Sequence, residues 1–206
     1  MTTRVPVFVC GEPARGDDAA AFAAVELLSA DVRARADIRV VGRLDVLLLL
    51  DLPAEEACVV VDAVAGIRPG EVWVRPLPAL VDRARALADV GRAPEPSSSH
   101  ELPLEQVLAL AAILRDAPPA GTFVGIGGSC WDVGTPLTAS VAAGLPLFAV
   151  AIAAAIEAGS KGQPSLGPSL GPARRRSSLG STVRPARRAT PGRARRSWRR
   201  PARRAR

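Results

Sequence analysis

Ala57-Cys58-Val59-Val60-Val61-Asp62 is a run of apolar, mostly β-branched residues that stops at a carboxylate. Apolar on both faces, it reads as a central strand of a parallel sheet. Successive strand side chains point to opposite faces, so such a run needs helices covering both. The aspartate that ends it calls for a reason, because an uncompensated buried carboxylate is costly. Backbone amides would satisfy it, and so would a cation.

The pattern extends in both directions from this strand. Upstream, Leu44 to Leu50 is a short apolar helix stopped by Asp51-Leu52-Pro53, and Ile38 to Val41 is a second strand. Ala21, Phe22, Val25 and Leu28 recur at helical spacing, with Asp17 or Asp18 where an N-cap belongs. Val5 to Cys10 is another buried strand, followed by the turn-rich loop Gly11-Glu12-Pro13-Ala14-Arg15-Gly16. Downstream, a Gly66–Gly70 turn leads into the alternating strand Glu71-Val72-Trp73-Val74-Arg75. A surface helix over 78–90 comes next, then a loop rich in Pro and Ser. The helix from about Pro103 to Arg115 buries Leu104, Val107, Leu108 and Ala111, with Pro103 in the first turn. Thr122 to Ile126 is a further buried strand, and a last helix runs from near Pro136 to Ala158, with a break expected at Gly144-Leu145-Pro146. This alternation predicts an α/β three-layer sandwich, phosphorylase/hydrolase-like, whose mostly parallel twisted sheet is flanked by helices.

Composition divides the chain. Residues 159–206 hold 15 Lys+Arg and no acid, leaving 12 basic residues against all 20 acids in residues 1–158, a charge of −8. The overall +7 therefore belongs to the tail. The expected organisation is a domain over 1–158 and a disordered Arg/Pro/Gly/Ser-rich tail over 159–206, which has little to bury. No run of about 18 apolar residues is free of punctuation and charge, so no membrane span is expected. Three widely spaced cysteines, Cys10, Cys58 and Cys130, argue against a disulfide framework and for a reducing, cytoplasmic setting.

Ligands of open parallel sheets bind outside the carboxyl ends of the strands. Asp18 follows the first strand, Asp62 ends the central one, and His100, the chain's single histidine, lies in Ser97-Ser98-Ser99-His100-Glu101-Leu102 before a helix on the same edge. Two carboxylates and an imidazole suit a divalent first-row metal, nickel or zinc. Each residue also has a plainer reading: Asp18 as a helix cap, Asp62 satisfied by amides, His100 exposed and inert.

Taken together, three blocks resemble the hydrogenase maturation proteases, endopeptidases that remove a C-terminal extension from the large subunit of NiFe hydrogenases. They are Gly11-Glu12-Pro13-Ala14-Arg15-Gly16-Asp17-Asp18, Val59-Val60-Val61-Asp62-Ala63-Val64 and Ser98-Ser99-His100-Glu101-Leu102. The resemblance implies that Asp18, Asp62 and His100 are the metal-recognising and catalytic residues. It also implies that the nickel is carried by the substrate, the NiFe hydrogenase large-subunit precursor, and is not held tightly by the free protein. The chain departs from the family at Glu12, where Asn is usual, at Val9 and Ala19-Ala20, where Gly is usual, and over Gly42-Arg43-Leu44-Asp45. Cys10 and Cys130 lack a histidine in any recognisable local motif and read as packing residues.

Two other classes stand beside this one. A non-catalytic metal-sensing or chaperone-like module would bind the precursor without shortening it. A nucleic-acid-associated protein would act through the tail, whose arginines suit phosphate contacts and whose Trp198 suits base stacking. The plainer reading of the tail, an extension such as a shifted frame in a GC-rich gene produces, is preferred.

Overall fold

The computed structural model describes residues 4–89 and 103–162. Five strands form one sheet: β1 (Val5–Cys10), β2 (Ala36–Gly42), β3 (Cys58–Val64), β4 (Val72–Pro76) and β5 (Gly121–Gly127), in the order β2-β1-β3-β5-β4. All neighbours are parallel except β4, which runs antiparallel to β5 at one edge. The central strand is longer than its apolar run suggests. It continues through Asp62 to Val64, so the aspartate sits within the strand.

Alternation along the strands sorts the core into two halves. Val5, Val7, Val9, Val59, Val61, Val124 and Ile126 face one side, where they meet α1 (Ala20–Glu26), α2 (Ala30–Ala34) and α6 (Ala139–Ser160). Phe8, Cys10, Cys58, Val60 and Phe123 face the other, against α3 (Val46–Leu50), α4 (Leu77–Asp89) and α5 (Leu104–Leu114). This is the expected three-layer sandwich. Phe8, Phe123, Phe148, Ile152 and Ile156 are fully buried, and each such side chain contributes roughly 1.5–3 kcal/mol.

Several local expectations change. Helix α2 carries no apolar periodicity, because Val32 is its single buried residue; Ser29 caps it by accepting from the Val32 N–H at 3.4 Å. Helix α3 starts two residues later than its apolar run, where Asp45 accepts from the Leu47 N–H at 2.8 Å. At its other end Arg115, the residue after α5, donates to the Leu49 carbonyl, one the five-residue helix leaves open, and to the Pro53 carbonyl in the loop beyond.

The expected break in the last helix is absent. α6 runs unbroken for 22 residues with Pro146 inside it. Gly144 is kept by tertiary contact: a Cβ there would come within 2.6 Å of the Gly70 carbonyl, where the turn before β4 packs against the helix. With the punctuation absorbed, α6 is long and apolar enough to cross a membrane, with a mean hydropathy of 2.2 over its most apolar stretch. In this fold Val141, Phe148, Ile152, Ala155 and Ile156 turn inward onto the sheet.

Candidate active site

The order β2-β1-β3 places a topological switch beside β1: the chain leaves β1 for β2 on one side and returns to β3 on the other. Ligands bind at such switch points, at the carboxyl ends of the strands. Asp18 comes from the turn after β1 and Asp62 from the carboxyl-terminal half of β3.

Asp62 occupies the same sheet face as Phe8, Cys10 and Val60, one residue beyond the Val9–Val61 pair. Its partner on β5 is Gly125, where the Phe123 ring and the Val64 side chain fill the space a Cβ would take. Among the described residues, the Ala63 N–H donates to its carboxylate at 2.8 Å. Burial first, and then the nearby Asp18 charge, push the Asp62 carboxyl up to about 7, against a smaller lowering by the Ala63 amide.

Asp18 is held differently. It lies in a 3-10 turn, Gly16–Ala19, and caps neither that turn nor α1, whose N-cap is Ala19. Its Oδ2 accepts from the Glu12 N–H at 2.9 Å. Gly11 makes this closure possible: at φ 107° it takes a conformation glycine alone adopts freely, and a Cβ there would come within 2.2 Å of the Asp18 carbonyl oxygen. The Glu12 side chain stays exposed and turns back to the Ala14 N–H at 3.4 Å. Its backbone, and not its added carboxylate, is what meets Asp18.

Asp17 is the residue that sequence reasoning misjudged. It is fully buried and serves as no helix cap for its own segment. Its carboxylate accepts from the backbone N–H groups of Ser129, Cys130 and Thr138 at 2.8, 3.0 and 2.7 Å. Burial alone would raise its carboxyl, but the Ser129, Thr138 and Cys130 hydrogen bonds outweigh that and hold it below the ordinary carboxylate value. A long-range partner of this kind leaves no local spacing signal; the adjacency of two acids after a glycine was the one visible hint.

Cys10 and Cys58 behave as packing residues. Cys10 lies beside the pair, buried, and its thiol is pushed far up by desolvation and by the Asp62 charge, so it holds its proton. Cys58, buried at the other end of β3, is pushed up to about 12 by desolvation. Cys130 Sγ lies 3.4 Å from Thr135 Oγ1 in the loop after β5. His100 lies outside the described residues. Among the described residues, no group of three or more His, Cys, Asp or Glu could by itself hold a metal ion.

The molecule is thus a three-layer α/β sandwich with a carboxylate pair, Asp18 and Asp62, at its switch point. That architecture is the fold of the hydrogenase maturating endopeptidase HybD from E. coli: the two superpose with a TM-score of 0.55 at 21% identity, over 75% of this chain and 93% of that one. The [NiFe] hydrogenase maturation protease HybD from Thermococcus kodakarensis aligns over 74% of this chain and 99% of its own, with a TM-score of 0.48 and 22% identity. No protein-family model and no curated protein sequence matches the chain.

Proposed function

We propose that this chain is a processing endopeptidase of hydrogenase maturation, which recognises nickel in an immature large subunit and removes that subunit's C-terminal extension. The observation that carries the reading is the Asp18–Asp62 pair at the switch point of a HybD-like fold. Two carboxylates whose charges oppose each other in a partly buried edge lower their energy by sharing a cation. Nickel held by the incoming subunit is such a cation, and Asp18, Asp62 and His100 would add two oxygens and a neutral nitrogen to it. A precursor without nickel would lack this anchor and would leave the pair paying its mutual repulsion. The scissile bond is then positioned by the metal it lies near, and water is the attacking group. Cys10 is buried and its thiol is pushed up by desolvation and by the Asp62 charge, which suits it poorly to act as nucleophile.

The test is mass spectrometry of the precursor C-terminus after incubation with the protein. Wild type shortens the nickel-loaded precursor and leaves the nickel-free one intact. Asp62→Ala and His100→Ala leave both intact while remaining folded by circular dichroism. Full processing by either variant rejects the assignment, and tight binding of precursor by wild type without any shortening favours the metal-sensing module instead.

A further inference from the structure

We propose that Asp17 is a positioning residue, which fixes Asp18 in the site by clasping the turn that carries it to the loop after β5 and to the start of α6. This rests on the reading of Asp18 as a ligand to the substrate's metal.

The clasp is built from both segments. Besides its three backbone donors, Asp17 Oδ2 accepts from Thr138 Oγ1 at 3.1 Å and from Ser129 Oγ at 3.4 Å. Its own N–H donates to the Cys130 carbonyl at 2.8 Å. On either side the Gly16 N–H donates to Thr135 O at 3.2 Å and the Gly134 N–H donates to Ala14 O at 2.7 Å. Arg15 and Val133 form an antiparallel bridge. Glycines let the segments approach: a Cβ on Gly16 would come within 2.6 Å of the Cys130 carbonyl, and one on Gly128 within 3.1 Å of Asp17 Cβ. Thr138 is the N-cap residue of the 22-residue α6 and its side chain caps nothing in its own helix. Its amide and hydroxyl both go to Asp17, which places a carboxylate at the positive end of that helix.

The consequence falls on the next residue. The 3-10 turn is four residues long and has no side-chain cap, so little within it fixes its orientation. Asp17 anchors it from below, to elements that belong to the core, and the Gly11–Glu12 closure holds Asp18 from the other side. Both carboxylate oxygens of Asp17 receive backbone N–H groups, so an amide cannot replace it: Asn would turn its own NH₂ toward at least one donor. Released, the turn would move Asp18 relative to Asp62, and misplacement by about 1 Å is enough to cost on the order of 100-fold in rate.

The experiment compares wild type, Asp17→Asn, Asp18→Asn and the double variant as full chains, by kcat/KM for processing of nickel-loaded precursor and by amide hydrogen exchange. Asp17→Asn is expected to unfold cooperatively, to lose about 100-fold in processing, and to exchange faster at both 11–18 and 128–138 while β1 and β3 stay protected. In the double variant its effect should largely vanish, because it acts through Asp18. Wild-type processing by a folded Asp17→Asn, or a loss that multiplies in full with that of Asp18→Asn, overturns the proposal. Should Asp17→Asn not fold, Thr138→Val removes one hydroxyl donor and keeps the backbone donors; it must then show the same paired exchange increase and a smaller, Asp18-dependent loss, and its absence overturns the proposal. If wild type cuts no precursor, the peptidase reading falls by itself, and the clasp is judged by exchange: loosening confined to one of the two segments refutes it.

Discussion

Asp17 and Asp62 are both acids at the same edge of the sheet, and they are treated in opposite ways. Asp17 accepts from three amides and two hydroxyls, and its charge is held below the ordinary range. Among the described residues Asp62 accepts from one amide, and burial with the charge of Asp18 pushes its carboxyl up to about 7. A fully satisfied carboxylate has nothing left to offer a ligand and works as a fastening. A carboxylate left short of donors, beside another acid, costs stability and gains by meeting a cation.

The contrast predicts that mutating each residue fails in a different assay. The largest effect is expected for Asp62→Ala, which takes processing of nickel-loaded precursor below detection in a mass-spectrometric end-point assay. Asp17→Asn should cost about 2–3 kcal/mol of stability, from buried donors left unpaired, read as a lowered urea midpoint with an unchanged slope. Gly11→Ala forces a Cβ against the Asp18 carbonyl at positive φ; it should cost about 2 kcal/mol and reduce processing with it.

Asp62→Asn should move stability the other way. Between the unfolded value near 4 and about 7, the folded protein holds a proton on Asp62 that the unfolded chain has lost, so wild-type stability falls as pH rises through that window. Asn removes the penalty. The variant should be about 4 kcal/mol more stable than wild type at pH 8 and nearly equal to it at pH 3 by denaturant unfolding. The smallest effect is expected at Cys10, where Ala should leave processing within roughly twofold of wild type, since a protonated buried thiol takes no part in the attack.

Much of this was legible in the chain. The Val59-Val60-Val61 run and its neighbours dictated the parallel sheet, because burial on both faces leaves an unambiguous apolar pattern. Asp18 and Asp62 could be placed on one edge because each follows an apolar strand at its carboxyl end in a sheet read as parallel. Three features were not legible, each for a physical reason. Helix α2 buries one side chain, so it has no periodic signal. Pro146 and Gly144 punctuate the sequence of α6, but packing of Gly144 on the Gly70 turn favours an unbroken helix. The partners of Asp17 lie more than a hundred residues away, in a loop whose Ser129, Cys130 and Thr138 look unremarkable in sequence. His100 lies outside the described residues, so its part in the trio rests on the resemblance of its motif.

The central claim is that Asp18 and Asp62 form one electrostatically coupled site. The direct measurement is a carbon-13 NMR titration of the Asp62 side-chain carboxyl in wild type and in Asp18→Asn. The account predicts a midpoint near 7 in wild type and a clear fall when the Asp18 charge is removed. An Asp62 that titrates near the ordinary carboxylate value, or one indifferent to Asp18→Asn, would contradict it.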